Sequence, residues 1–298
     1  MFFKAATSAL IAVLAVATVT GAAAASDASG PPRGNPGGHG TTMVLGGPLE
    51  GTHAHNDYEH ERPLFDALEH GFTSVEVDVW LVDGELLVAH SLADVRPGVT
   101  LESLYLDPLT DLVHGKSVYP GWDGSLQLLI DIKSEAETTY AAIETELAAH
   151  RGIMSRFDNG TTKTGAVTAV VSGNRPLATM QAQQERFSFY DGRSGDLSMG
   201  IPASLMPLVS DNWTKLYTWN GEGEMPDAER AKLTAYVEAA HTQGYRVRFW
   251  ATPDAAGPAR DALWTELHAA GVDNINTDDL AGLQEFLTNI NLSATSTD

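Results

Sequence analysis

"TSVEVDVWL", residues 73–81, is the stretch that decides how this chain folds. Val75, Val77 and Val79 alternate with Glu76 and Asp78. Successive side chains of a strand point to opposite faces, so the two carboxylates share one face and the valines the other. A half-exposed strand could turn its acids to water. A valine-rich strand early in an alternating chain is instead covered on both faces. Glu76 and Asp78 then face an interior, where two carboxylates repel and are costly to desolvate unless a cation compensates them.

Short β-rich runs of this kind recur outward from it: "PLEGTHAH", "ELLVAHS", "LQLLIDIK", "AVTAVVSG", "RFSFYDG", "MPLVSD", "YRVRFWAT" and "DNINTDD". Helical stretches separate them. "RPLFDALEHG" ends in Gly71, "AETTYAAIETELAAHRG" in Gly152, and "DAERAKLTAYVEAAHTQG" opens on acidic residues and ends in Gly244, as helices that complement their dipole and close on a glycine do. "ARDALWTELHAAG" and "DDLAGLQEFLTN" complete the set. Alternating β and α units over about 250 residues predict one α/β domain, a (β/α)8 TIM barrel spanning residues 43–292. An open doubly wound sheet is the alternative, but no glycine-rich dinucleotide turn follows the first strand.

The ends of the chain read differently. Residues 1–25 carry Lys4, an apolar run and small residues, the layout of a cleaved secretory signal peptide, so a secreted protein is expected. Residues 26–42, which include His39, form a Gly/Pro-rich leader, and 293–298 a tail. No later segment is apolar enough for a stable membrane span. The absence of cysteine excludes thiolate catalysis and cysteine-ligated zinc. Thirty-nine acidic against 18 basic residues give a formal charge of −21, which argues against nucleic acid as a partner and leaves room for a small anionic ligand in a locally cationic pocket. A monomer is expected.

A barrel builds its active site at the C-terminal ends of its strands. There the sequence offers "THAHND" with His53, His55 and Asn56, then Glu76 and Asp78. His90 ends a return strand, and Asp131 and Lys133 stand two apart on one face of "LLIDIK", with Leu129, Ile130 and Ile132 assigned to the other face. Oxygen ligands from Glu76, Asp78 and Asp131 favour one divalent cation, Mg2+ or Ca2+, over zinc. Two histidines left off the metal suit a general base and a general acid, and Lys133 suits a substrate anion. That set fits in-line attack at phosphorus, with cation and lysine neutralising the phosphoryl oxygens. Ser172, Asn174, Asp191, Asp211 and Asn212 sit at further strand ends, where each reads equally as a cap or turn residue.

At these residues the chain resembles the glycerophosphodiester phosphodiesterase superfamily, within the wider group of phosphodiesterase barrels similar to phosphatidylinositol-specific phospholipase C. "PLFDALEHG", "EVD", "VAHS" and "DIK" follow the family pattern, as do "VRFWATPD" and "GVDNINTDD" near the C-terminus. "HAHND" stands where the family has His-Arg-Gly, so the phosphate-contacting arginine is missing. Asp-x-Lys and the His53/Asn56 spacing resemble the sphingomyelinase D branch, and "HAHNDY…PL" a poorly characterised bacterial and fungal branch. The resemblance implies a phosphoric diester hydrolase acting on a glycerophosphodiester or lysophospholipid. His53 or His55 would be the first catalytic histidine, with His53 preferred and His55 on phosphate, and His90 the second. Trp250 would pack on the ligand and Asp278 would sit at the rim. Two other classes stay open. One is an amidohydrolase-type enzyme with zinc on His53 and His55; the other is a binding barrel without catalysis.

Overall fold

A computed structural model describes residues 45–113 and 115–295, and the expected signal peptide, the leader with His39 and the last residues of the tail lie outside the described residues. Eight parallel strands form a closed ring: β1 (Thr52–Ala54), β2 (Ser74–Val82), β3 (Leu126–Ile132), β4 (Val167–Gly173), β5 (Ser188–Gly192), β6 (Leu208–Asn212), β7 (Arg246–Trp250) and β8 (Asn274–Thr277). β1 closes it, pairing Thr52 with Ile275 of β8 and Ala54 with Val75 of β2. This is the (β/α)8 barrel. A return strand, Glu85–Val88, runs antiparallel to the end of β2 and delivers His90 to the top of the barrel.

Helices α1 (Phe65–Glu69), α2 (Asp107–Leu112), α3 (Ala136–Ala149), α4 (Leu177–Ala182), α5 (Trp213–Leu216), α6 (Asp227–Thr242), α7 (Pro258–Ala269) and α8 (Leu280–Thr295) follow the strands. The last runs past residue 292, so the tail expected from 293 begins as helix. Between β5 and β6 a 3-10 turn, Ser194–Ser198, takes the place of a helix. "RFSFYDG" divides. Arg186 belongs with Glu185 to a small antiparallel sheet that includes Arg156–Asp158 and Thr161–Lys163, and β5 starts at Ser188. The alternation rule missed this sheet because its three strands have no buried apolar face to make them periodic. Among the described residues no helix is long and apolar enough to cross a membrane.

The valines of β2 behave as their spacing requires. Val75, Val77 and Val79 are fully buried outside the ring with Leu128, Ile130, Ala169 and Val171, under Leu68, Ile143 and Leu147 of the helices. Each such side chain removed from water contributes roughly 1.5–3 kcal/mol. Inside the ring a second, smaller cluster joins Leu129, Val170, Phe189 and Leu208. Leu129 therefore shares the inner face with Asp131 rather than the opposite face expected from the sequence, because residues two apart on a strand point the same way. Two residues further along each of these strands the inward side chain turns polar: Asp131, Ser172, Asp191 and Ser210. The apolar layer plugs the barrel as filled interiors do, and the polar layer lies on top of it.

Candidate active site

Glu76, Asp78 and Asp131 bring carboxylate oxygens within 4.8 Å of one another. Parallel pairing sets this up, because Asp78 stands beside Asp131 in register across β2 and β3. Their cationic partners differ. Arg248 of β7, buried, holds Glu76 Oε2 at 2.5 Å and also donates to Asn276 Oδ1. Lys133 Nζ lies 3.1 Å from Asp78 and 3.0 Å from Asp131. Burial alone would raise Glu76, but Arg248 and the His53 hydrogen bond outweigh it and hold its carboxyl well below the ordinary range. Burial dominates at Asp78, pushed up to about 6 with Asp131 and Glu76 adding to the effect and Lys133 opposing it. Asp131 is raised for the same leading reason.

Three clustered carboxylates set against two cations, Arg248 and Lys133, leave negative charge to compensate. Asp78 Oδ1 is buried with no hydrogen-bond partner among the described residues. Gly173, at the end of β4 with φ +65°, leaves room for the third carboxylate, since a Cβ there would stand 2.0 Å from Asp131 Oδ1. Three hard oxygen donors, one of them orphaned, fit a divalent cation such as Mg2+ or Ca2+.

The three histidines separate. His53 has no exposed surface. Its Nε2 lies 3.1 Å from Glu76 Oε2 and its Nδ1 2.6 Å from Ser74 Oγ, which also accepts from Gln127. A carboxylate only accepts, so Nε2 carries the hydrogen and Nδ1 accepts from the Ser74 hydroxyl. Desolvation, reinforced by Arg248, lowers His53 to about 3 and keeps the ring neutral. His55 emerges one residue past β1. Its Nδ1 donates to Asp278 at 2.8 Å. Burial lowers its pKa, but the Asp278 hydrogen bond and the charge of Glu76 outweigh that and raise it above the ordinary value. His90 lies at the mouth, its side chain 64% exposed, with Nδ1 3.1 Å from Asp78 Oδ2.

The β1–α1 loop fixes this corner. Asn56 takes φ 45°, which asparagine tolerates, and the buried Leu64 takes φ 66°, which a leucine holds only when its surroundings impose it. Asp57 helps hold Leu64 there. Buried, it accepts from Leu64 N at 2.6 Å and from Tyr105 OH at 2.8 Å. The neighbouring Tyr58 hydroxyl donates to Asp78 at 2.8 Å and stands 3.2 Å from Asn56 Oδ1 and 3.4 Å from His90 Nδ1.

Of the residues singled out in the sequence, then, Glu76, Asp78, Asp131, Lys133, His53 and His90 converge directly. His55 joins at the rim with Asp278, and Asn56 joins through Tyr58. Others stand apart. Exposed Asn174 donates to Ser134 O at 2.8 Å and braces two loops. Trp250 is half-buried, with Lys215 Nζ 5.9 Å from its ring. Asp211 accepts from the Ser194 backbone N at 3.2 Å, and Asn212 caps α5. Ser172 and Asp191 bind Arg193 instead: Ser172 Oγ, Ser210 Oγ and Arg193 Nη1 all reach Asp191 Oδ2 within 2.7 Å. Sequence reasoning missed Tyr58, Arg248 and Arg193. The signal for Arg248 was the strand alternation of Arg246 and Arg248 in "YRVRFW", which puts both arginines on the inner face.

Residues 48–120 and 118–191 match the family described as AIM6-like phosphodiesterase domain, and 246–281 match the Glycerophosphoryl diester phosphodiesterase family. Altered inheritance of mitochondria protein 6 of Eremothecium gossypii is 31% identical over 270 residues, covering 80% of this chain and 69% of its own. The homolog of that protein in Arthroderma benhamiae is 28% identical over 254 residues, covering 76% and 81%. Among solved structures, a glycerophosphodiester phosphodiesterase from Parabacteroides distasonis aligns at TM-score 0.48 and 17% identity, over 80% of this chain and 98% of that one.

Proposed function

The chain belongs to the AIM6-like phosphodiesterase family, and we propose that it is a phosphoric diester hydrolase, dependent on one divalent cation, with His55 and His90 as its proton-transfer pair. The observation that carries this reading is the cluster of Glu76, Asp78 and Asp131 between two histidines that each donate to a carboxylate at the barrel mouth. A divalent cation held by the three carboxylates would polarise the phosphoryl oxygens and offset their charge.

His55 takes the role of general base in preference to His53. Donation of Nδ1–H to Asp278 leaves Nε2 available, and the raised basicity suits proton removal from the nucleophile. His53 is sealed from the mouth, has both nitrogens committed and stays neutral, so it orients Glu76. The same commitment speaks against a zinc site on His53 and His55. His90, held through Nδ1 by Asp78 and exposed at the mouth, delivers the proton to the leaving oxygen. Lys133 offsets negative charge beside Asp131. The substrate class is a small phosphodiester or a lysophospholipid, and residues 1–25 are read as directing secretion.

The test is hydrolysis of bis(p-nitrophenyl) phosphate and of glycerophosphodiesters by the purified chain. EDTA would be added first, then Mg2+ or Ca2+, with Glu76→Gln alongside. Activity that metal restores and the variant lacks is expected. Full activity in EDTA, or in the variant, would overturn the reading.

A further inference from the structure

Strand β3 ends in Asp131-Ile132 with Lys133 next, and strand β5 in Asp191-Gly192 with Arg193 next. The two strands are the neighbours of β4 on either side. Each presents an inward acid and, two residues later, a base that pairs with it: Lys133 Nζ lies 3.0 Å from Asp131 Oδ2, and Arg193 Nη1 2.6 Å from Asp191 Oδ2. Between them β4 ends in Ser172 and Gly173. Ser172 registers with Asp131 and accepts from Arg193 Nη2 at 3.0 Å. Gly173 packs directly against β3, and a Cβ on it would stand 2.0 Å from Asp131 Oδ1.

Arg193 is fixed more firmly than Lys133. Nη1 also donates to Ser210 Oγ and Gly192 O, and Arg175 Nε donates to the Asp191 carbonyl at 2.6 Å. Its side chain is still 29% exposed, and burial, which would lower its pKa, is outweighed by Asp191 with a smaller contribution from Asp131. Nη1 is committed to Asp191, Ser210 and Gly192, and Nη2 gives one hydrogen to Ser172, so Nε–H and the second Nη2–H remain, the side-on pair of a rigid, partly exposed guanidinium that suits bidentate contact with a phosphoryl group. Asn56 and Asp57 follow His55, and the arginine further along the β1–α1 loop, Arg62, is held by Asp66 and Glu69 of α1.

We propose that Arg193 and Lys133, set on either side of Gly173, form a two-cation seat for the non-bridging oxygens of the substrate phosphodiester, with Arg193 as the fork that orients them. The inference rests on the phosphodiesterase reading above and assigns the anion contacts within that site.

Three measurements test it. In Arg193→Lys, which keeps the charge and loses the fork, KM should rise about 10-fold. In Asp191→Asn/Arg193→Gln, which leaves no buried charge unpaired, kcat/KM should fall about 100-fold while the melting temperature holds. In the wild-type chain, diethyl phosphate, an unreactive phosphodiester anion, should slow phenylglyoxal modification of Arg193, followed by mass spectrometry. Kinetics within twofold of wild type in the folded double variant would overturn the seat. So would an Arg193 modification rate indifferent to diethyl phosphate, a result that needs no variant to fold. An inactive wild type would remove the phosphodiesterase reading alone, and protection of Arg193 would still decide the anion seat.

Discussion

His53 Nε2 and Arg248 Nη2 converge on one oxygen, Glu76 Oε2, at 3.1 and 2.5 Å. A neutral buried imidazole and a buried guanidinium thus set the position of a single carboxylate, which becomes both structural counter-ion and candidate metal ligand. Removing the carboxylate charge leaves Arg248 buried and unpaired, a loss that costs about 3–5 kcal/mol. Glu76→Gln should therefore melt well below wild type as well as lose turnover. Glu76→Gln/Arg248→Met should recover much of the melting temperature and none of the activity. Thermal melts and diester hydrolysis on the same samples check both halves, and activity in the double variant would remove Glu76 from the chemistry.

The two β1 histidines should separate in the same assays. His55→Asn is expected to lower kcat by roughly 100-fold or more, as loss of a general base does, with little change in stability. His53→Asn empties a fully buried hydrogen-bonded position and should lower the melting temperature first. A His55→Asn variant with wild-type kcat would return the role to His53.

The pH profile carries a sign that can be worked out. A base acts deprotonated, so activity rises as pH climbs through the pKa of His55. Against the effect of burial, Asp278 and Glu76 place that pKa above the ordinary histidine value. Asp278→Asn removes the carboxylate's contribution and should move the acid limb of kcat/KM to lower pH, with a reduced plateau. A limb that stays in place would mean another group controls it.

Asp57 makes a prediction about stability. Burial pushes its pKa up to about 7, against opposing hydrogen bonds from Leu64 and Tyr105. The folded chain then holds a proton that the unfolded chain has released, so this residue's contribution declines as pH rises from about 4 to about 7. Asp57→Asn, whose amide oxygen can accept both hydrogen bonds that Oδ2 now takes, should flatten that slope. Urea midpoints at pH 5 and pH 7 compare the two chains, and parallel slopes would contradict the assignment.

Gly173→Ala tests the floor of the site. The added methyl meets Asp131 Oδ1 at 2.0 Å and Ile132 O at 2.4 Å, and φ is +65°. Strain of about 1 kcal/mol or more is expected from the backbone alone. Displacement of Asp131 should weaken Mg2+ or Ca2+ binding, read by titration calorimetry. Unchanged metal affinity would place the cation away from Asp131.

Much of this was legible from local pattern. Val75, Val77 and Val79 placed Glu76 and Asp78 on one face without any structure, because a strand has a period of two. "LLIDIK" placed Asp131 and Lys133 together for the same reason, and strands alternating with glycine-ended helices pointed to the barrel. Which histidine reaches the mouth was not legible. His53 and His55 share a face, and two residues, from the middle of a three-residue strand to just past its end, separate a sealed interior from the rim.

The sequence by itself determined the barrel and its acid-bearing strand faces, since both follow from periodicity and from spacings of two residues, while the class of chemistry came with its resemblance to the phosphodiesterase barrels. Only the tertiary structure decided the partners. Arg248 lies 172 residues from Glu76, His55 lies 223 from Asp278, and Arg193 reaches across to Ser172, 21 residues away on the neighbouring strand. Those pairings depend on how the ring closes and how each strand registers with the next. No local pattern encodes that geometry, because it is set by the packing of the whole chain.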